Sequence, residues 1–592
     1  MKKIFARFIL AFLLFPSLLN ASHLMGGEIT WTCDGLGNYI FKVKMYRDCN
    51  GIPGPSSLSL FTNALSTTIN CSLISQTDIS PVGVGCPTCA SPGGFFNAVE
   101  EFIYQSSPIT LTGFPPASGW YFSYSDCCRN ANITNLSSSG SGEFTLRAIM
   151  YKYVGATPGP CFDNSPQFAE APSLALCNAD TVNYANSALD PDLDSLVYSW
   201  GNPLSGTTWP FANYPFAAGY SATSPLPSST QNPANTGASL DPATGITTFY
   251  SQTSGVFVTC TKISSYKCGQ LVSEVFREVE VGLMACPINS GPVAVNHGPA
   301  FLPDNNTAYY TVLAGDSFNL NLNIVDYEFL NTTPPSIQSV ELSSSGIAFG
   351  DGDTSSTSGC AIPPCATLNH TSPYAPGGPG VAEQLKWLTA CSHAGFNNGC
   401  LQHQRTFHFV FRANDNFCPT NGVRYKNVIV YVSGPEIYQI GNDLAVSYPG
   451  VSLQWYLNGT PIPGATDTIY TPTQSGVYTV MATTGGGCQM ISNPVNRTMA
   501  GMAETEAGSS FSIYPNPVNA DRQLQVLVKN FSTGQQVINI TDISGRLVKT
   551  FTIDLHNPTE HLVFDITGLN SGIYQFSISN SSGIQQNSFI IK

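Results

Sequence analysis

Tyr514-Pro515-Asn516-Pro517 opens a stretch in which apolar residues recur at every second position: Leu524, Val526 and Val528, then Ile538 and Ile540. Asp542-Ile543-Ser544-Gly545-Arg546 follows as a turn, and Leu562, Phe564 and Ile566 form a further alternating run. Gly568-Leu569-Asn570-Ser571-Gly572 breaks that run before Tyr574, Phe576 and Ile578, and Phe589-Ile590-Ile591-Lys592 closes the segment. A period of two places one side-chain set on one face of a strand, so residues 511–592 predict a small β-sandwich with one apolar face per sheet.

The order of four signals, the YPNP start, the D-x-S-G-R turn, the L-N-S-G-I-Y step and the terminal lysine, resembles the type A C-terminal sorting domain of the type IX secretion system. That resemblance implies a sorting signal in which Tyr514, Pro515, Asn516, Pro517, Gly545, Gly572, Tyr574 and Lys592 take part. It also implies two partners, the outer-membrane translocon and a sortase-like protease that removes the tail. The product would then be attached to surface lipopolysaccharide or another glycan, or released.

The other end of the chain agrees with an exported product. Lys2, Lys3 and Arg7 precede an apolar run from Phe8 to Leu19, and Leu19-Asn20-Ala21 offers small-residue cleavage before Ser22. The apolar core is too short for a bilayer span, so residues 1–21 read as a secretory signal peptide, and a secreted or cell-surface location with no transmembrane segment is expected. The 23 Lys and Arg stand against 37 Asp and Glu, a formal charge of −14. Loss of the three leader cations takes this to about −17, which leaves no basic stripe to displace the counterions of a nucleic acid.

With 53 Gly, 42 Pro and only 10% charged residues, the chain fits many short strands joined by turns. The expected class is all-β, a tandem array of β-sandwiches ending in the sorting domain. Residues 22–165 are expected to form a Cys-rich N-terminal domain, opening Ser22-His23-Leu24-Met25-Gly26-Gly27-Glu28-Ile29-Thr30-Trp31 and holding Cys127-Cys128-Arg129-Asn130. SHLMGGEITW and CCRN resemble the N-terminal region of large exported Bacteroidetes surface proteins, many associated with gliding motility. Residues 166–287 and 288–434 read as two further sandwiches. In the latter, Phe318, Leu320 and Leu322, then Phe407, Phe409 and Phe411, then Val428, Val430 and Val432 alternate.

Residues 436–498 read as immunoglobulin-like. Val451, Leu453, Trp455 and Leu457 alternate into the turn Asn458-Gly459, and Ser475-Gly476-Val477-Tyr478-Thr479-Val480 supplies a second strand, so Trp455 and Tyr478 are expected in its core. The Q-W-Y-L-N-G and S-G-V-Y-T-V runs resemble the Ig-like modules that precede this kind of sorting domain. Residues 499–510 are a polar linker.

One loop carries chemistry. Asp190-Pro191-Asp192-Leu193-Asp194 sets carboxylates at alternate positions before a strand, and hard cations such as Ca²⁺ take six to eight oxygen ligands. Asp190, Asp192 and Asp194 are therefore the candidate calcium ligands, in a segment that resembles cadherin-like bacterial repeats. The competing reading makes the same residues Asx turns at a sheet edge. The loop is not an EF-hand, since Ser195 and Gly201 stand where Gly and Glu would be needed.

All 18 cysteines lie beyond the leader, and an oxidising route makes disulfides their default state. Cys260 with Cys268 and Cys360 with Cys365 would close short loops, whereas Cys488 has no partner in its own segment. Cys86-Pro87-Thr88-Cys89 has redox-motif spacing but no helix to lower a thiol pKa, so it reads as a staple. Cys391, His393, Cys400 and His403 have zinc-ligand types, with disulfides the preferred reading. No hydrolase or nucleotide fingerprint occurs, so no catalytic residue is assigned. The expectation is a non-enzymatic adhesive or structural surface protein. Its alternative is a secreted hydrolase or glycan-binding protein with a site in residues 22–165 or 288–434, since function lives in sites rather than in sandwiches.

Overall fold

The computed structural model describes residues 24–591 apart from 94–97, 127–128, 131, 138–141, 155–160, 207–208, 288, 296–306, 331, 351–355, 371–379, 395–403, 447–451, 485–486, 499–509, 519–521, 543–546, 571 and 581–582. Among the described residues every regular element is a strand, save one 3₁₀ turn at Cys391–Ala394. No helix there is long and apolar enough to cross a membrane. The chain forms two compact units, the first made of residues 1–308, 319–387 and 406–429, the second of 309–318, 388–405 and 430–592. The division runs through the expected third sandwich.

The first unit is organised by one eleven-stranded sheet. Its path runs Leu24–Cys33, Tyr39–Asp48, Val99–Ser106, Ile69–Asp78, Ser57–Thr62, Trp120–Asp126, Phe144–Met150, Gln270–Met284, Gly255–Lys267, Ser195–Trp200, and the eleventh strand, Ala175–Cys177, pairs with Gln270–Met284 off this path. Leu24–Cys33 also pairs with Gln270–Met284, through Gly26↔Val279, Gly27↔Glu278 and Glu28↔Arg277. Phe144–Met150 pairs with the same long strand through Ala148↔Val275, so both ends of the N-terminal run meet it and the run closes on itself.

Strand alternation fills the enclosed interior. Along Tyr39–Asp48, residues Tyr39, Phe41, Val43 and Met45 are buried while Ile40, Lys42 and Lys44 are half-exposed. The former join Ile29, Trp31, Leu60, Tyr104, Phe122 and Leu146 in one apolar cluster. Segments 22–165 and 166–287, distinct in the sequence pattern, thus share a sheet across residue 165. The Gly26-Gly27 pair makes this contact available. A Cβ on Gly26 would press into the Glu278 carbonyl and sit 2.7 Å from the Val279 Cα, so only glycine lets the first strand lie against Gln270–Met284.

In the second unit, residues 436–498 form a three-stranded sheet (Ile437–Ile440, Asp443–Val446, Ile469–Tyr470) and a five-stranded sheet built on Ser452–Leu457 and Gly476–Thr483. Asn458 and Gly459 both take positive φ between the paired residues Leu457 and Thr460, as a two-residue hairpin turn requires. Trp455 is fully buried and its ring stacks 5.6 Å from Tyr470, which lies 5.8 Å from Tyr478.

The tail forms the three-stranded sheet Ser510–Tyr514, Gln523–Lys529, Glu560–Asp565 and the four-stranded sheet Leu547–Leu555, Gly534–Asp542, Gly572–Asn580, Gly583–Ile591. Leu524, Val526, Val528, Ile538, Ile540, Phe564, Ile566, Tyr574, Phe576, Ile578, Phe589 and Ile591 share its core. Those are the residues the period-two pattern marks, Leu562 alone standing at the core's edge.

The cysteines pair across sequence more than along it. Cys360–Cys365 closes its short loop, but Cys260 is a free buried thiol on the strand Gly255–Lys267. Cys268 is bonded elsewhere: eight residues of extended chain carry the two sulfurs too far apart, at about 3.3 Å per residue, for the expected local bridge. The two cysteines of the C-x-x-C spacing take different partners, Cys86–Cys418 and Cys49–Cys89. Cys391 bonds Cys488, which supplies the missing partner and removes a thiolate from the zinc reading; Cys400 and His403 lie outside the described residues. His393, fully buried, accepts the Ala390 N–H at Nδ1.

Candidate functional site: a lysine inside the carboxylate loop

The loop Asp190–Asp194 is a turn built on one carboxylate. Asp190 Oδ1 accepts the N–H of Asp192 at 2.9 Å and of Asp194 at 3.3 Å, while its carbonyl accepts the Leu193 N–H at 3.0 Å. Leu193 sits at φ 61° to complete the turn. The other oxygen, Oδ2, accepts the Ser265 hydroxyl at 2.9 Å. Asp190 thus makes the Asx turn of the competing reading, with its oxygens turned to its own loop and to the neighbouring strand.

Asp192 and Asp194 point the other way and meet Asp163, which sequence spacing could not associate with them. One carboxylate oxygen from each of the three lies within 4.8 Å of the others. Lys267, from the end of the strand Gly255–Lys267, brings Nζ to 3.1 Å from Asp163 Oδ1, Asp192 Oδ2 and Asp194 Oδ2 alike. Asp192 also accepts the Asn164 backbone N–H and side-chain amide, each at 2.8 Å.

Burial governs the electrostatics of this cluster. It raises Asp190 to about 8, with Asp194 and Asp192 adding repulsion. Burial also raises Asp163 against the opposing pull of Lys267. For Lys267, burial works against the charged form, yet Asp163, Asp192 and Asp194 outweigh it and hold the ammonium protonated.

This arrangement does not fit a calcium ion. The ammonium already stands where the three carboxylates converge, and a divalent cation on the same oxygens would meet a positive charge within a few ångströms, in a site dry enough for that repulsion to be large. Asp190 is engaged elsewhere. The cluster also joins distant segments. Trp31 donates its indole N–H to the Asp163 carbonyl at 3.2 Å, the Cys33 backbone N–H donates to the Asn164 side-chain oxygen at 2.7 Å, and the Cys33–Cys161 bridge closes beside them. The first strand, the loop and the long hairpin are pinned at one point.

A second network accounts for the two N-terminal motifs. Glu28, of the Gly-Gly-Glu run, accepts Arg277 Nε at 2.9 Å and Nη2 at 2.8 Å, with both side chains fully buried and Arg277 lying 3.7 Å from the Phe168 ring. Arg129, from the C-C-R-N run, pairs with Glu278, and Asn130 donates to Glu280 at 3.3 Å. Cys127 and Cys128 lie outside the described residues. Both motifs therefore converge on Arg277-Glu278-Val279-Glu280. Separations such as 249 residues leave no local trace that sequence reading could have used.

In the tail, Asn516, one of the residues expected in the sorting signal, fastens the last strand. Asn516 Oδ1 accepts the Ile590 N–H at 2.8 Å and its Nδ2 donates to the Ser588 carbonyl at 3.0 Å. Tyr514 ends the first tail strand with its ring 5.5 Å from His561, and Pro515 and Pro517 flank Asn516. Gly572 begins its strand, and Tyr574 stacks 5.7 Å from Phe589 while its hydroxyl donates to the Asn570 carbonyl at 2.9 Å. Gly545 and Lys592 lie outside the described residues.

Fold and fastening together define an all-β, multi-module protein with a strand-locked terminal module. Residues 512–592 match the family described as "Secretion system C-terminal sorting domain". The tail is thus a type IX sorting domain, and it directs the chain to the secretion system and the cell exterior. No curated protein matches the chain. Similar solved structures include the N-terminal four Ig domains of Dscam1 isoform 6.44, at 11% identity over 72% of this chain and 98% of that one, with a TM-score of 0.12. A biofilm-associated protein BSP domain aligns at 9% identity over 97% of each chain with a TM-score of 0.18, and Drosophila OTK extracellular domains 3–5 at 9% over 70% and 93% with 0.11. At such TM-scores these likenesses carry no argument about function.

Proposed function

We propose that the exported modules form a non-enzymatic adhesive or structural array on the cell surface. The observation that carries this reading is how the charged side chains singled out by sequence and structure are used: Lys267, Arg277 and Arg129 each neutralise carboxylates that join distant segments. Such pairs specify one packing of the sheets rather than a reactive centre. Disulfides with sequence separations of 332 and 128 residues add covalent bracing of the kind an exterior location rewards.

In this reading the translocon engages the tail, a sortase-like protease removes it, and the product is attached to lipopolysaccharide or another surface glycan, or released. The internal ammonium makes the Asp190–Asp194 loop stiff without calcium. Deleting residues 22–498 while keeping leader and tail tests the array. Cell attachment to surfaces should fall while export of a reporter carrying the same tail continues; unchanged attachment overturns the proposal.

A further inference from the structure

In the second unit, one strand of the tail is covered on both faces. Along Gln523–Lys529, Leu524, Val526 and Val528 join the tail's own core, so Leu527 stands on the outer face, where alternation calls for a wetted side chain. Leu527 is nonetheless only 8% exposed, because Ile440 and Ala445 of the 436–498 module cluster with it and Tyr514 packs beside them. The same doubling occurs across the contact. All four residues of Asp443–Val446 are buried, Leu444 and Val446 on one face and Asp443 and Ala445 on the other. Two residues beyond Leu527 on the same outer face, Lys529 pairs with Asp443 Oδ2, and the other Asp443 oxygen accepts the Thr471 hydroxyl at 2.7 Å.

The contact is complementary but small. It sets Leu527 against two apolar side chains and one ammonium against one carboxylate, and the Lys529 side chain stays 34% exposed. Beside it a cavity of about 660 Å³ is left open, lined by Tyr438, Ala445 and Ile469 on the module and by Tyr514, Gln525 and His561 on the tail. No cysteine lies beyond Cys488, so no disulfide reaches the tail, whereas Cys488 itself ties the module to Cys391. Stable contacts between separate proteins bury on the order of 1,600 Å² around well-filled centres. A short tether such as residues 499–510 supplies an effective concentration on the order of millimolar, which holds a far smaller contact closed.

We propose that Ile440, Asp443 and Ala445 form a docking surface for this chain's own sorting domain, occupied through Leu527 and Lys529 while the linker joins the two. Cutting the linker lets the tail leave and uncovers the surface. The tail is then a cover as well as an address, and Tyr514 of its opening motif is held against the module until the cut. Docking of this kind does not depend on what the exported array adheres to, so the two readings fail separately.

The test inserts a site-specific protease sequence within residues 501–508 of the full chain and compares the protein before and after cutting. Lys529 should be acylated about threefold faster after the cut, read by mass spectrometry, since its amine then loses the Asp443 carboxylate. The tail should separate from the rest in gel filtration at about 1 µM. Ala445→Cys should add a thiol that labels about tenfold faster once the linker is cut, with the buried thiols of Cys71 and Cys260 as references. In the uncut chain, adding Lys529→Asp should speed that labelling by about threefold, because like charges then face each other. A tail that co-elutes after the cut, Lys529 acylated alike in both states, or an Ala445→Cys thiol labelled alike in both would each overturn the proposal. Should Ala445→Cys fail to fold, acylation of Lys529 and elution of the cut chain need no substitution at the contact and still decide it.

Discussion

Lys267 decides how the acidic loop behaves. Three carboxylates at alternate or distant positions carry the ligand chemistry of a hard cation, and the triplet Asp190, Asp192, Asp194 alone invites that reading. The ammonium that answers them comes from a strand ending more than seventy residues later, and the third acid, Asp163, from a segment before the loop. Local spacing contains neither. Lys267→Met should destabilise the first unit by about 3–5 kcal/mol, because it leaves buried acids without their counter-charge. The same substitution should make the melting temperature rise on adding calcium, while the unaltered protein melts alike in calcium and in chelator. A calcium-dependent melt of the unaltered protein would contradict the lysine-centred account.

Glu280 gives a second test at this scale. Burial, partly offset by Arg129 and by the Asn130 hydrogen bond, raises its carboxyl from 4.5 to about 8, with Glu278 adding repulsion. The folded protein then holds a proton that the unfolded chain releases between those values. Its stabilising contribution is complete below about pH 4.5 and is lost as pH rises through about 8. Glu280→Gln should flatten the decline in chemical-denaturation midpoint across that window; an unaltered pH profile would show that the carboxyl is ionised throughout.

Single strands were the most legible level of this protein, and the contacts between them the least. In the tail, period-two alternation names nearly every core residue from Leu524 to Ile591, because each strand there buries one face and wets the other. The same logic identifies Trp455, Tyr478 and the Asn458-Gly459 turn. It stops where partners are chosen. Nothing in Gly26-Gly27-Glu28 names Val279, Glu278 and Arg277, since pairing across the whole first unit is a tertiary decision. The Cys260–Cys268 expectation failed for a related reason, as Cys260 lies mid-strand and Cys268 in the turn beyond that strand's end. The YPNP motif is legible as sequence, and in the structure its Asn516 is hydrogen-bonded to the last strand. Asn516→Ala should speed hydrogen exchange at the Ile590 amide by about tenfold with little change at Phe576, a loss of roughly one hydrogen bond's worth of local stability. Equal protection in both proteins would mean that the clamp is unimportant to the strand.

For the whole molecule, the account joins a terminal module that carries the address to modules that buried ion pairs on Lys267, Arg277 and Arg129 and long-range disulfides hold together. Sequence periodicity gives the first half, and the cross-segment pairs on Arg277, Glu278 and Lys267 give the second. The most direct measurement places residues 511–592 behind a leader and a fluorescent protein in a type IX-competent host, beside the full protein with those residues deleted. The account predicts fluorescence at the cell exterior for the fusion and periplasmic retention of the truncated protein; a fusion held in the periplasm, or a truncated protein that still reaches the exterior, would contradict it.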